Sequence, residues 1–476
     1  ILQNEYRYVT KNSKHILDFS LINKHKSNYK VRKNTKSHFF SNSIIDLNYN
    51  ELETSNIEIN IEKVSNDTYL KLFDLDSILL EDKPSDLNSY VKLDLGNENF
   101  DLIGKIELYE NLSGSNNDRY EYILPDYLFT TNIENERMEG EISFNSSGNQ
   151  KLFDTNVVET NIINDLKYSS NNFFNKLGFK NNYNILLKNI NSSGKNSSKY
   201  KSSLQGEVRT QLIFDTSFPL KKETPNSREL ITPKMSLRFN PNDMKNFKDT
   251  DRRMGISNIF SHNRMGLSDT IESGKSVTTG ITYEKFKKKS EENKNETHEK
   301  FLEASLATLF RDKRENNIPI NSTLNNKSSD IFGKINFNPN KNITINYDFS
   351  LDNNISTFNY NSIDTKLNYQ NWEAELSFVE ENGVIGNSNY TDFKSSYFFN
   401  KENSFSFSTR RNRKINLTEY YDLLYSYETD CLTAGLQYKK TYYRDRDVEP
   451  NEELFFTITI VPITQYSPSN LMNLVK

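Results

Sequence analysis

Few side chains in this sequence have the types and spacings that bond chemistry requires. The single cysteine, Cys431, is the most distinctive. One thiol cannot build an internal disulfide framework or a cysteine-based zinc site. Its plain reading is a reduced cysteine on a strand; in an oxidising compartment it implies a partner elsewhere. The five histidines, His15, His25, His38, His262 and His298, are scattered, and none stands at metal-ligand spacing from its neighbours. His262 adjoins Asn263-Arg264, where loop polarity is the simpler reading. No GxSxG elbow, phosphate-binding loop or HExxH pair occurs. A lipase or protease would need a Ser/His or Asp/His arrangement, which dispersed residues do not display. The densest basic run, Arg410-Arg411-Asn412-Arg413-Lys414, could meet phosphates, although such runs are more often solvated loops. The expectation is a protein that makes and breaks no covalent bonds, with no catalytic residue, metal or cofactor.

The elements that carry these residues are legible from alternation. From Asn342 to Asp352, Ile343, Ile345, Tyr347, Phe349 and Leu351 fall on one face, and polar residues fall on the other. The length suits the roughly 9–11 residues of a tilted membrane-spanning strand. Similar alternation recurs at Ile57-Ile59-Ile61, Met235-Leu237-Phe239, Leu432-Ala434-Leu436-Tyr438 and Leu454-Phe456-Ile458-Ile460. Clusters of Asn, Ser, Lys and Gly, such as 195–199 and 287–295, read as loops. Aromatic pairs near strand ends, as at Phe398-Phe399, Tyr420-Tyr421 and Tyr442-Tyr443, suit interfacial girdles. The segment Thr297 to Arg314 has a helical composition, but Leu302, Ala304, Leu306, Thr308 and Phe310 also share one strand face, and a strand is expected.

Composition agrees with this pattern. The chain has 476 residues, 34% hydrophobic and 26% charged, with 31 Phe and 27 Tyr. The mean hydropathy of -0.78 and the lack of any run near 20 apolar residues exclude a helical membrane protein. A transmembrane barrel escapes that test, because only every second residue of each strand faces lipid. The net charge of -4 argues against nucleic acid as a partner. A soluble β-solenoid should show a fixed repeat, and a sandwich array should show linkers about every hundred residues; neither is visible. The predicted fold is therefore all-β: a large antiparallel outer-membrane β-barrel of about 20 strands, at roughly 20–24 residues per strand and connection.

Residues 231–286 resemble the LptD family, also called organic solvent tolerance protein. The stretch opens with Ile231-Thr232-Pro233, similar to the family's strand start, and continues to the loop Asn240-Pro241-Asn242-Asp243. Asn258-Ile259-Phe260-Ser261-His262-Asn263-Arg264-Met265 resembles the family pattern Leu-Phe-Ser, a variable residue, Asn-Arg and an aromatic. Asp269, Ile271, Glu272, Gly274 and Gly280-Ile281-Thr282-Tyr283 continue its spacing. Met265 departs from the usual aromatic, and Gly266 sits one place early. Thr68 to Asp74 is similar to a family strand, Leu124-Pro125-Asp126-Tyr127 to its Leu-Pro strand opening, and Tyr427 to Cys431 to its Tyr-acidic-Cys segment. The resemblance covers roughly residues 40 to 462.

The resemblance implies lipopolysaccharide transport and assembly: insertion of lipopolysaccharide into the outer leaflet of the Gram-negative outer membrane through a barrel lumen and a lateral seam. The implied partners are lipopolysaccharide, an LptE-like lipoprotein plug, the lipid bilayer, and a periplasmic bridge reached through an N-terminal jelly roll. Asn263, Arg264, Asp269, Glu272 and Gly274 carry the family motif. Cys431 matches a cysteine that the family pairs with its N-terminal domain. Leu454, Phe456, Ile458 and Ile460, followed by Pro462, would form the seam's last strand; proline has no backbone donor to complete a ladder. The sequence opens Ile1-Leu2-Gln3 without a Met or a signal peptide, and the expectation is a fragment lacking the jelly roll and first strands, with barrel over 1–462 and a tail over 463–476. The rival from another class is a passive diffusion porin, which needs no partner. A third reading, a β-rich surface adhesin, should lack aromatic girdles.

Overall fold

The computed structural model describes residues 2–26, 33–73, 75, 77–80, 84–113, 118–135, 137–289, 297–444, 450–460 and 464–466. Its strands run β1 (Leu2–Val9), β2 (Ser13–Lys26), β3 (Lys33–Asp46), β4 (Thr54–Val64), β5 (Asp86–Gly96), β6 (Phe100–Asn111), β7 (Tyr120–Ile133), β8 (Gly140–Phe153) and β9 (Val157–Ser170). They continue with β10 (Phe173–Phe174), β11 (Lys180–Lys195), β12 (Gln205–Ser217), β13 (Leu220–Glu223), β14 (Ser227–Asn240), β15 (Gly274–Lys289), β16 (Thr297–Arg311), β17 (Ile331–Asn340) and β18 (Ile343–Leu351). The last are β19 (Phe358–Tyr369), β20 (Trp372–Glu381), β21 (Asn389–Phe398), β22 (Asn403–Asn412), β23 (Leu417–Glu428), β24 (Leu432–Thr441), β25 (Asn451–Ile460) and β26 (Thr464–Tyr466). Among the described residues an α-helix, α1 (Tyr69–Phe73), interrupts the series between β4 and β5, and a 3-10 turn, Ile320–Ser322, lies between β16 and β17.

The strands form one 26-stranded sheet in which sequence neighbours pair antiparallel. The strands β10 and β13 lengthen hairpins with β11 and β14 and do not add staves. The strand β1 pairs with β2 on one edge and with β26 on the other, so the sheet closes on itself. The sequence reading left the ring open on the side of its first strand; residues of this chain close it. They do so through β26, which lies beyond position 462, where the barrel was expected to end.

Alternation sorts the two faces. On β14, Ser236, Arg238 and Asn240 are buried while Leu237 and Phe239 are exposed. On β16, Leu309 is 0% and Phe310 48% exposed, although the two residues are adjacent. The exposed apolar set faces lipid and the buried set faces the lumen, because only the lumen holds packed loops. The segment from Thr297 is a strand to Arg311, as its neighbours dictate. Tyr369, Trp372 and Phe398 gather at one rim and Tyr420, Tyr421 and Tyr442 at the other, as interfacial girdles require.

Two local expectations change. Residues 69–73 form a helix, where a strand was expected from the resemblance; Asp74 lies outside the described residues. Tyr69 and Leu70 are buried consecutively, which a strand with one buried face cannot do, and Asn66 Oδ1 accepts from the Thr68 amide at 3.2 Å to turn the chain. Ile231-Thr232-Pro233 sits inside β14 and does not start it, because the strand begins at Ser227.

The two rims differ. Connections at one are tight, as at 10–12, 97–99, 341–342 and 370–371. The other rim carries the long connections 65–85, 241–273 and 312–330. The tight turns explain why about 20 strands was an underestimate: they consume far fewer residues than the average allowed.

Candidate functional site

The long loops fold into the ring and make its only two apolar clusters among the described residues. Met244, Phe247, Met254, Ile259 and Met265 of loop 241–273 pack with Ile318 and Leu324 of loop 312–330. They rest on lumen-facing Ala307, Leu309 and Phe332 of β16 and β17. The loops also join through the backbone, where the Phe247 amide donates to the Asn317 carbonyl at 2.8 Å and the Ile320 amide to Lys248 at 3.0 Å. Loop 241–273 spans the interior. On one side the Lys188 ammonium of β11 donates to the Ser268 carbonyl at 2.9 Å. On the other, Arg253 pairs with Glu381 of β20 and lies 4.3 Å over the Tyr360 ring. Only a segment inside the ring reaches both walls.

An arginine hub bolts this plug to the wall. Arg264 is fully buried and grips Glu272 with two donors, Nε standing 2.6 Å from Oε2. Its remaining nitrogen hydrogens go to Thr278 Oγ1 at 2.8 Å and Ser276 Oγ at 2.9 Å on β15 and to the Ile259 carbonyl at 3.5 Å. Arg311 of β16 reaches the same Glu272 at 2.6 Å and the carbonyls of Ser273 and Leu324, each at 2.9 Å. Arg238 of β14 donates to the carbonyls of His262 at 3.0 Å, Phe260 at 3.2 Å and Ser261. Buried charges are tolerable when their donors are met, and the Glu272 carboxylate, carbonyls and hydroxyls meet all but the Arg238 Nε here. Burial pushes the Glu272 carboxyl up, but the Arg264 and Arg311 guanidiniums outweigh it and hold it at about 2.

The other motif residues finish the plug. Burial likewise raises Asp269, and Lys199 at 2.8 Å together with the Tyr200 hydroxyl reverses this and holds it below the usual carboxylate range. Asn263 Nδ2 donates to the Leu267 carbonyl at 2.9 Å and closes the turn between them. Gly274, at φ +83°, takes the left-handed conformation that carries the loop into β15. Gly280 admits the Phe260 ring against the wall: a Cβ there would lie 2.9 Å from Phe260 Cζ and 2.8 Å from the Leu306 carbonyl. Towards the tight rim the plug leaves a lumen chamber of about 350 Å³, with Lys180, Lys234 and Asp215 on its wall and Ile256 and Phe260 as its roof.

A second inward loop sits beside the ring closure. Tyr69 and Leu70 of α1 pack on Phe40, Val64 and Leu87. The Tyr69 hydroxyl is 2.6 Å from Ser20 Oγ, which is 2.8 Å from His38 Nδ1; His38 Nε2 is 3.1 Å from Asp18 Oδ1. Gln3 of β1 donates to Asp18 at 3.3 Å. The backbone of the same Gln3 pairs with Gln465 in one of the two residue pairs joining β1 to β26, the other being Leu2 with Tyr466. A buried polar chain therefore links α1 to the closing strand.

The structure thus brings Arg264 and Glu272 together, sets Asp269 and Asn263 around them, and places Gly274 at the exit. Leu454, Phe456, Ile458 and Ile460 lie on β25, where Ile458 and Ile460 also pair with β26; Pro462 lies outside the described residues. Cys431 is an exposed free thiol in the turn between β23 and β24, at the tight rim. Arg410, Arg411 and Asn412 were expected in a solvated loop but end strand β22, where Arg410 faces Glu419 at 3.3 Å and Asp392 at 3.8 Å on the neighbouring strands. Sequence reasoning missed Arg238, Arg311, Tyr200 and the Asp18-Ser20-His38-Tyr69 chain. An arginine alternating with Leu237 and Phe239 was the available signal for Arg238.

Among the described residues no three His, Cys, Asp or Glu side chains gather as a metal site. No curated protein matches the sequence. The family described as LptD, LPS transport system D, matches residues 39–397. Among solved structures, a ferric enterobactin receptor of Pseudomonas aeruginosa is similar at 8% identity and a TM-score of 0.34, over 98% of this chain and 76% of that one. The siderophore receptor PirA of Acinetobacter baumannii is similar at 10% identity and 0.33, over 98% and 77%. A triple-mutant porin of Rhodopseudomonas blastica is similar at 10% identity and 0.20, over 68% and 92%.

Proposed function

The chain belongs to the LptD family of the lipopolysaccharide transport system in the Gram-negative outer membrane, and on that premise we propose that it inserts lipopolysaccharide into the outer leaflet through its lumen and the β1–β26 junction. The long-loop rim then faces outward and the tight rim faces the periplasm. The sugar and phosphates occupy the polar lumen, where Lys180 and Lys234 offer cations below the plug. The acyl chains leave sideways through the seam. No step needs a bond made or broken, so the chain's work is binding, guiding and parting of strands.

The observation that carries this reading is the shortness of the closure. Two residue pairs join β1 to β26, whereas β1 pairs with β2 along its full length from Leu2 to Val9. A cysteine pair at Gln3 and Gln465, in a Cys431→Ser background, tests it. Locking the seam is expected to abolish surface delivery of lipopolysaccharide and reduction to restore it, while a lock between paired Thr279 and Thr308 leaves delivery unchanged. Normal delivery through a fully locked seam would sink the proposal. A porin, whose inward loops constrict a pore with charged residues, needs no parting of the seam and would be unaffected by the lock.

Two partners belong to the same reading. An LptE-like lipoprotein would seat against the polar lumen from the tight rim, and the N-terminal domain that links to the periplasmic bridge would meet that rim too. Cys431 is exposed there and free to pair with a cysteine of that domain. Non-reducing electrophoresis of the full-length protein should show a mobility difference from its Cys431→Ser form; identical mobility counts against the disulfide.

A further inference from the structure

The outer face of the wall that carries the plug is indented. A closed barrel is convex towards lipid, yet a recess of about 770 Å³ lies across β11, β12, β14, β15 and β16. Two cross-strand rows build it. Ile185, Leu212, Phe239 and Lys275 stand in register along one. Phe214, Leu237, Val277 and Phe310 stand in register along the other. Five strands at about 4.8 Å spacing give a width of about 20 Å. These side chains alternate with the lumen-facing Arg238, Ser276 and Arg311, so they lie on the membrane side of the same wall.

The inner side of the same wall is tied to the plug. Lys188 of β11, Arg209 of β12, Arg238 and Asn240 of β14 and Arg311 of β16 are all bonded to backbone carbonyls of the in-folded loops. The same five-strand wall is thus tied to the plug inside and recessed outside. Recesses of roughly 300–1,000 Å³ lined mostly by apolar groups, with a few polar ones at the edge, are what small-molecule and lipid sites look like. The rim of this one carries Lys275, exposed and 5.7 Å from the Phe239 ring, at the long-loop end of β15, with Asp312 beside it.

We propose that this recess is a lipid site, holding acyl chains of a lipopolysaccharide molecule of the outer leaflet with a phosphate against Lys275. The outer face of a barrel is immersed in bilayer, so its occupant is a lipid. The recess opens at the long-loop end, which the orientation above puts in the outer leaflet; the inference rests on that reading. The ammonium selects an anionic headgroup, and the aromatic and branched walls suit packed acyl chains. It lies about halfway round the ring from the β1–β26 junction, so it holds delivered lipid and not lipid in transit.

The full chain, in nanodiscs containing lipopolysaccharide or phosphatidylglycerol, can be extracted and its retained lipids counted by native mass spectrometry. The wild type is expected to keep about one lipopolysaccharide per barrel. Phe239→Ala with Phe310→Ala should lower retention about tenfold and Lys275→Gln severalfold, with heat-modifiable migration confirming a folded barrel. Leu376→Ala with Leu436→Ala, on equally exposed outer positions of β20 and β24, should retain the wild-type amount. Equal loss in that control pair, equal retention of phosphatidylglycerol, or no retained lipid in the wild type would overturn the site. Surface delivery measured on the same variants separates the two proposals: loss of retention with intact delivery is expected here, and failed retention in a wild type that still delivers through the seam refutes this site alone.

Discussion

Two buried arginines, Arg264 and Arg311, share the Glu272 carboxylate, and that makes it the residue on which the plug turns. Removing one partner of a buried ion pair costs about 3–5 kcal/mol, because the partner charges stay behind. Glu272→Gln keeps the shape and removes the charge, leaving Arg264 and Arg311 without their shared counter-ion. Loosening of the plug is expected, read as a rise in single-channel conductance in planar bilayers. The same carboxyl makes docking depend on acid. Its value in the fold, about 2, lies below the ordinary 4.5, so its contribution is complete above about 4.5 and disappears as pH falls towards 2. That shift corresponds to about 3 kcal/mol. Wild-type conductance should climb over this window while Glu272→Gln, already high, stays flat; parallel curves would show that Glu272 is not the acid-sensitive group.

At the scale of elements, the Tyr69 hydroxyl contact and packing both hold α1. Tyr69→Phe removes only the bond to Ser20, worth about 1 kcal/mol, and should speed amide exchange over residues 68–73 about fivefold. Leu70→Ala removes buried packing worth about 2–5 kcal/mol and should speed it much more. Unchanged exchange in both would mean that α1 is held by something else. Such elements were unevenly legible. Alternation gave strands such as β18 because one face is oily and one wet along its whole length. The helix was hidden because a five-residue turn inside a loop has no period to read. The His38-Asp18 contact was hidden by register: Ser20 pairs with His38 across β2 and β3, and a two-residue slip would keep every side chain on its face while breaking the contact. Arg264 and Glu272 were marked through a family resemblance, but Arg311 looks like any charged end of a strand until the loop that it grips is folded beside it.

For the whole molecule, the barrel class was legible because it repeats in every strand, while closure was not, because it depends on three residues, Thr464–Tyr466, too few to alternate. The inner bolts and the outer recess belong to one wall, and the seam belongs to the opposite side of the ring. The brevity of that seam also fixes a quantity of work. In hydrocarbon each unpaired backbone N–H or C=O costs several kcal/mol, so a junction like that of β14 with β15, running the 14 residues from Ser227 to Asn240, is sealed for the life of the protein. Parting Leu2 from Tyr466 and Gln3 from Gln465 frees only a handful of such groups. In the function proposed above it is the acyl chains that pass here, so those few donors and acceptors are the whole hydrogen-bond cost of an opening, and they pair again when the strands close.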